Sequence, residues 1–314
     1  MISIELATKE FLCYCKFEKH LSEKTLKAYT TDLKQFNSFF ITENLSMDVC
    51  DITKTELRRY LESLSTLKPK SIKRKIATIK AMFNYMEFDD QIDMNPMRKM
   101  RIKIREGKII PKVMELKEIE KILKVVYQRK NVISDTQSYA FFEALRNIVV
   151  IELLFSTGAR VSEISTLKTE QINVRSGEIM IKGKGKRERI IHVCNPELLS
   201  LLKTYKNLCI ERMESGCNSF LLNRFSNEIS TQSIRLLVNN LYKKAGINRH
   251  ITPHVFRHSF ATLLLEKDVD IKYIQEMLGH SSIAITQIYT HVNKTKQKHL
   301  LRTRHPRKDL FLSE

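Results

Sequence analysis

Apolar positions recur every three to four residues through most of the chain, the period of a helix with one buried face. The stretch IELATKEFLCYCKFEK predicts a first helix. SEKTLKAYTTDLKQFNSFFITE predicts a second, capped by Ser22 and striped by Leu26, Tyr29, Leu33, Phe36 and Phe40. Thr53 and Glu56 have capping-box spacing ahead of ELRRYLESLS. PKSIKRKIATIKAMFNYMEF opens on Pro69 and carries Ile72, Ile76, Ile79 and Phe83 on one face. Its other face holds Lys70, Lys73, Arg74 and Lys80. Residues 1–98 therefore read as a small helical domain with a basic helix face, ending around Asn95-Pro96.

The periodicity then lapses. MRKMRIKIREGKIIPK is basic and reads as an extended linker over residues 99–111, with Arg101 and Lys103 open to a polyanion. A second domain, 112–314, begins with the amphipathic ELKEIEKILKVVYQ and the largely buried SYAFFEALRNIVVIELLFSTGA. In GEIMIKGKGKRERIIHV the period falls to two, predicting two short strands joined by a Gly-Lys turn. Helices resume near residue 196. The expected fold class is mainly α in two domains, one helical and one α+β with a small antiparallel sheet.

Composition narrows the function. The chain has 314 residues, 42% of them hydrophobic, enough for two domains with proper cores. Its formal charge of +19 points to a polyanionic partner. A membrane is disfavoured, because the longest apolar run, IVVIELLF, is short and interrupted by Glu152. The N-terminus shows no signal-peptide pattern, and the basic residues are spread along the chain. Cys13, Cys15, Cys50, Cys194, Cys209 and Cys217 include no CxxC pair, so reduced thiols in a cytoplasmic protein are expected.

Candidate chemistry is scattered. In ITPHVFRHSFATLLLE, Thr252 suits an N-cap and Pro253 the first helical position. Phe256, Phe260, Leu263 and Leu264 form one face, and His254, Arg257 and His258 lie on the other. That polar side is either plain solvated surface or an anion site at a helix N-terminus. His250, His254 and His258 are spaced by four, but Pro253 puts His250 outside the helix and argues against a metal. The chain carries no GxxxxGK[ST], HExxH or GxSxG. LLFSTGARVSEISTLK puts Arg160 just after Gly158, with Glu163 three residues on. IKGKGKRER puts Lys182, Lys184 and Lys186 in a glycine-rich turn. MLGHSS sets His280 behind a helix-ending Gly279, with Ser281 and Ser282 able to cap a following helix, and SSIAITQIYTHV carries Tyr289. Singly, these read as a surface arginine, a hairpin tip, a capping turn and a core tyrosine.

Their order is the distinctive feature. TGARVSE, KGKGKRER, HxxRHSFAT, LGHSS and ITQIYTHV follow one another as in the tyrosine site-specific recombinases, and the chain resembles that phage-integrase and Xer family over nearly its whole length. The resemblance implies a helical SAM-like core-binding domain, a linker and a catalytic domain. It implies Tyr289 as the nucleophile that forms a 3′-phosphotyrosine, with Arg160, Arg257 and His280 on the phosphate oxygens. Lys184 would be the general acid and His254 the base, with His258 a structural neighbour. The chemistry suits these residue types. A phenol ester conserves the phosphodiester bond energy without ATP, and two guanidiniums match phosphate bidentately.

No metal or other cofactor is implied. The partner that the resemblance implies is a double-stranded DNA core site, with Lys70, Lys73, Arg74, Lys80, Arg101 and Lys103 expected to touch it. A tetramer on DNA is expected, homomeric or shared with a second recombinase. The tail from Asn293 to Glu314 would dock on a neighbouring protomer through DLFL. The compact motif spacing, and the lack of room before the first helix for a lambda-type arm-binding domain, resemble the Xer type. YQRKNVISDTQSYAFFEALRN is longer than a minimal Xer protein needs and leans toward a mobile-element integrase. The rival readings are a type IB topoisomerase, which would relax nonspecific plasmid, and a non-catalytic DNA-binding protein, which would bind without forming an adduct.

Overall fold

Local caps start the helices of the first half. Ser3 and Ser22 accept the backbone N–H groups of Leu6 and Thr25 at the starts of α1 (Ile4–Phe17) and α2 (Glu23–Thr42). Thr53 and Glu56 close the expected reciprocal box at α3 (Lys54–Ser63), and Pro69 opens α4 (Pro69–Phe88). The computed structural model describes residues 2–105, 112–183, 188–214 and 216–279. The described residues up to 105 form one compact unit and those from 112 a second.

The first core buries Phe11, Leu33, Phe36, Phe40, Ile79, Met82 and Phe83 from α1, α2 and α4. Each such side chain contributes about 1.5–3 kcal/mol by leaving water. One carboxylate sits among them. Asp32 of α2 is fully buried and accepts hydrogen bonds from Arg74, from Lys75 Nζ at 3.3 Å and from Thr78 Oγ1 at 3.2 Å, all on α4. A buried charge persists only with partners of this kind. Lys75 therefore faces inward, while Lys70, Lys73, Arg74 and Lys80 are exposed within an arc of about 120°. Arg74 serves both sides, bonded to Asp32 with its side chain still 45% exposed. Met97, Met100 and Ile102 pack on this same core. The first part of the basic stretch expected as a plain linker is thus anchored, while Arg101 and Lys103 stay exposed.

The second unit contains α5 (Leu116–Asn131), α6 (Tyr139–Thr157), α7 (Val161–Ser165), β1 (Ile172–Asn173), β2 (Glu178–Lys182), β3 (Glu188–His192), α8 (Pro196–Glu211), α9 (Thr231–Lys244), α10 (Pro253–Glu266) and α11 (Ile271–Leu278). Helix α6 is its axis and packs against α5, α8 and α10. Residues 144–151 of α6 are buried without a break. Its apolar run serves the core, and among the described residues no helix is long and apolar enough to cross a membrane. Glu152 interrupts that run and accepts the Tyr127 hydroxyl at 2.9 Å. Burial pushes its carboxyl above the ordinary range.

The predicted hairpin forms the antiparallel pair β2–β3, and β1 extends the sheet in the order β1-β2-β3. Two residues are too short to display a period in the sequence, which is why β1 was not anticipated. The register sets Ile179 opposite Ile191 and Ile181 opposite Arg189. Arg189 thus shares a sheet face with buried isoleucines. The six cysteines are free thiols.

Candidate active site

Helix α6 stops at Gly158, whose φ of +57° is left-handed. A β-carbon there would stand 2.5 Å from Phe260 Cδ1 and 3.0 Å from Leu278 Cδ2. Backbone and neighbours both require glycine. Two residues on, Arg160 is the N-cap of α7. Its N–H donates to Glu163 Oε2 at 2.8 Å and its Nη1 to Oε1 at 2.7 Å. The Arg160 side chain is 36% exposed, whereas that of Glu163 is buried.

Glu163 also receives Nη1 and Nη2 of Arg189, at 3.2 and 2.7 Å. Burial opposes its ionisation, but hydrogen bonds from Arg189 and from the Arg160 N–H outweigh it. The carboxyl is held below its ordinary range.

The N-terminus of α10 supplies the second arginine. Thr252 occupies the N-cap position without a side-chain cap bond, and Pro253 is the first helical residue. The two-faced reading of this helix needs correction at Arg257. Val255, Phe256, Ser259, Ala261 and Thr262 are buried around the axis, and Arg257 itself is only 4% exposed. Its Nη1 donates to the Gly158 carbonyl at 2.8 Å and its Nη2 to the Leu278 carbonyl at 2.6 Å. The ends of α6 and α11 cover that side and offer carbonyls left without intrahelical donors. His254 is exposed and His258 half-buried. Burial, and then the charges of His254 and Arg257, push His258 below its ordinary value. His250 lies outside α10 and pairs its Nδ1 with the Tyr242 hydroxyl at 3.1 Å. Among the described residues no three or more metal-ligating side chains gather.

Arg160, Arg257 and His254 thus belong to one neighbourhood built from the α6–α7 turn and the start of α10. Lys184, Lys186, His280, Ser281, Ser282, Tyr289 and the tail from Asn293 lie outside the described residues. Their flanks are described: Lys182 ends β2, Glu188 starts β3, and Gly279 caps α11 with φ +62°. Lys182 Nζ and Glu188 Oε1 stand 3.6 Å apart at the end of the β2–β3 pair where residues 183–187 join the strands. Lys70, Lys73, Arg74, Lys80, Arg101 and Lys103 belong to the first unit, where all six are exposed.

Arg189 was not anticipated. Its signal was present in strand alternation, because a charge two residues before Ile191 falls on the inward face and must find a buried partner.

A SAM-like helical unit followed by a mostly helical unit with one small antiparallel sheet is the architecture of the integrase-type DNA recombinases. The chain belongs to the phage integrase family, as a tyrosine recombinase: the family pattern matches residues 112–296, and that of the N-terminal SAM-like domain residues 8–87. It is 45% identical to a tyrosine recombinase of Agathobacter rectalis, over 98% of this chain and 99% of the relative. It is 33% identical to tyrosine recombinase XerD of Listeria monocytogenes, over 95% and 98%. Among solved structures, the XerH recombinase bound to palindromic difH substrate superposes with a TM-score of 0.75 at 23% identity, covering 94% of this chain and 84% of that one.

Proposed function

We propose that the chain cuts and rejoins duplex DNA at a specific core site through Tyr289, using no metal, ATP or other cofactor. The phenol oxygen of Tyr289 attacks the scissile phosphorus, and the bond to the 5′-oxygen breaks. The phenol proton passes to His254, and the leaving 5′-oxygen takes a proton from Lys184. Arg160 and Arg257 neutralise the non-bridging oxygens, and His280 donates a further hydrogen bond. Attack by a 5′-hydroxyl of the partner duplex reverses these steps and seals the new strand. The observation that carries this reading is the bond from Arg257 of α10 to the carbonyl of Gly158, two residues ahead of Arg160 at the start of α7.

The first unit is proposed to hold the duplex through the basic face of α4 together with Arg101 and Lys103. Four protomers would act on two duplexes, with the tail from Asn293 docking between neighbours. The test is covalent trapping on nicked duplexes tiled from the DNA flanking the gene, with Tyr289→Phe beside the wild type. A tyrosine-dependent adduct supports the reading, and a site next to the gene favours a mobile element over a distant dimer-resolution site. An adduct of undiminished yield in Tyr289→Phe overturns the assignment.

A further inference from the structure

Arg189 takes no direct part in the chemistry proposed above, yet it ties three parts of the site together. It lies on β3, five residues beyond Lys184. Its two terminal nitrogens span both oxygens of Glu163, at 3.2 and 2.7 Å. Its Nε donates to the Met277 carbonyl at 2.6 Å. It packs so closely on Gly279 that a β-carbon there would stand 3.1 Å from Nη1. The side chain is 9% exposed, so these bonds are sheltered from water.

The charges explain why this matters. Glu163 contacts Arg160 Nη1 at 2.7 Å. A buried carboxylate paired with Arg160 alone would cancel the charge that Arg160 must present to a phosphate. It would also hold the guanidinium back from it. With Arg189 on the buried side, the three groups carry one net positive charge. Arg160, the more exposed of the two arginines, is then the one whose charge faces outward.

We propose that Arg189 is a positioning residue for strand transfer: it neutralises Glu163 from within, so that the charge of Arg160 reaches the scissile phosphate. Through Met277 and Gly279 it also holds the C-terminal end of α11. This rests on the reading of Arg160 given above.

The test uses full-length protein on the nicked duplex that traps the wild-type adduct, comparing Arg189→Met, Arg189→Lys and Arg189→Met/Glu163→Gln. Arg189→Met should slow adduct formation about 100-fold while the Kd for the same duplex stays within about threefold. Arg189→Lys, which keeps the charge without the fork, should slow it about tenfold. The double variant should recover about tenfold over Arg189→Met, because the carboxylate charge is gone. Arg160 and Arg189 are the cations bonded to Glu163.

Equal slowing of the single and double variants would make Arg189 a mere strut and overturn the inference. Should Arg189→Met fail to fold, Arg189→Lys with and without Glu163→Gln is read in the same way. A wild-type adduct with undiminished rates in all the Arg189 variants overturns this inference alone. No wild-type adduct on any duplex overturns the functional reading and this one with it.

Discussion

Arg257 donates to the carbonyl oxygen of Gly158 across 2.8 Å, joining residues 99 apart in sequence. Because Arg160 follows Gly158 by two residues, this one bond ties the positions of both arginines to a single turn. Changes at the turn should therefore affect both guanidiniums.

Gly158→Ala tests that turn directly. The alanine meets a left-handed φ of +57° and a contact of 2.5 Å to Phe260. The expected cost is about 2–4 kcal/mol of stability. Equilibrium urea unfolding measures the loss, and the trapping assay should show that the residual folded protein cleaves poorly.

The two arginines should separate when replaced singly. Arg160→Ala removes a 36% exposed side chain and is expected to leave stability within about 1 kcal/mol of wild type. Arg257→Ala orphans two carbonyls in a buried place and should cost about 2–3 kcal/mol. Both should lower the single-turnover cleavage rate by a factor of about 100 or more. Thermal melts and adduct kinetics on the same preparations distinguish the two losses.

Stability should depend on Glu163 at acid pH. Its folded carboxyl lies below the ordinary value of 4.5, so the stabilisation is present above that value. It is lost as pH falls through the depressed value, where the folded state must also take up the proton. Melting temperature plotted against pH should fall less steeply on the acid limb in Glu163→Gln than in wild type. Parallel curves would show that Glu163 contributes nothing to that limb.

In the first unit, Asp32→Ala leaves Lys75 buried without its carboxylate partner. Breaking a buried pair in this way is expected to cost about 3–5 kcal/mol. Denaturant unfolding of the full chain should show it in the transition that reports α1 to α4.

The exposed face of α4 predicts a salt effect. Replacing Lys70, Lys73 and Lys80 by alanine should reduce the slope of log affinity against log salt by about 0.9 for each phosphate that is no longer neutralised. Fluorescence anisotropy on one duplex across salt concentrations measures it. An unchanged slope would place the duplex away from this face of α4.

Much of this protein follows from rules that act within a few residues. Ser22, Thr53 with Glu56, and Pro69 set helix starts because a cap needs only the next turn of backbone. The β2–β3 hairpin and the stop at Gly158 are local in the same sense, and the ordered motifs sufficed to suggest the family. What the sequence alone misplaced or left unread are polar groups whose surroundings come from distant segments. Arg257 sits on a helix that read as two-faced, and Lys75 sits in a basic run on α4. Nothing local to Asp32 or Arg189 said which residues of α4 and α7 would meet them. Each lies inside because some other element covers it and brings the opposite charge or the carbonyls that make burial tolerable. Helical and strand periods report which way a side chain points from its own axis. Only the tertiary structure decides what meets it there, because that depends on chain closure between residues tens of positions apart.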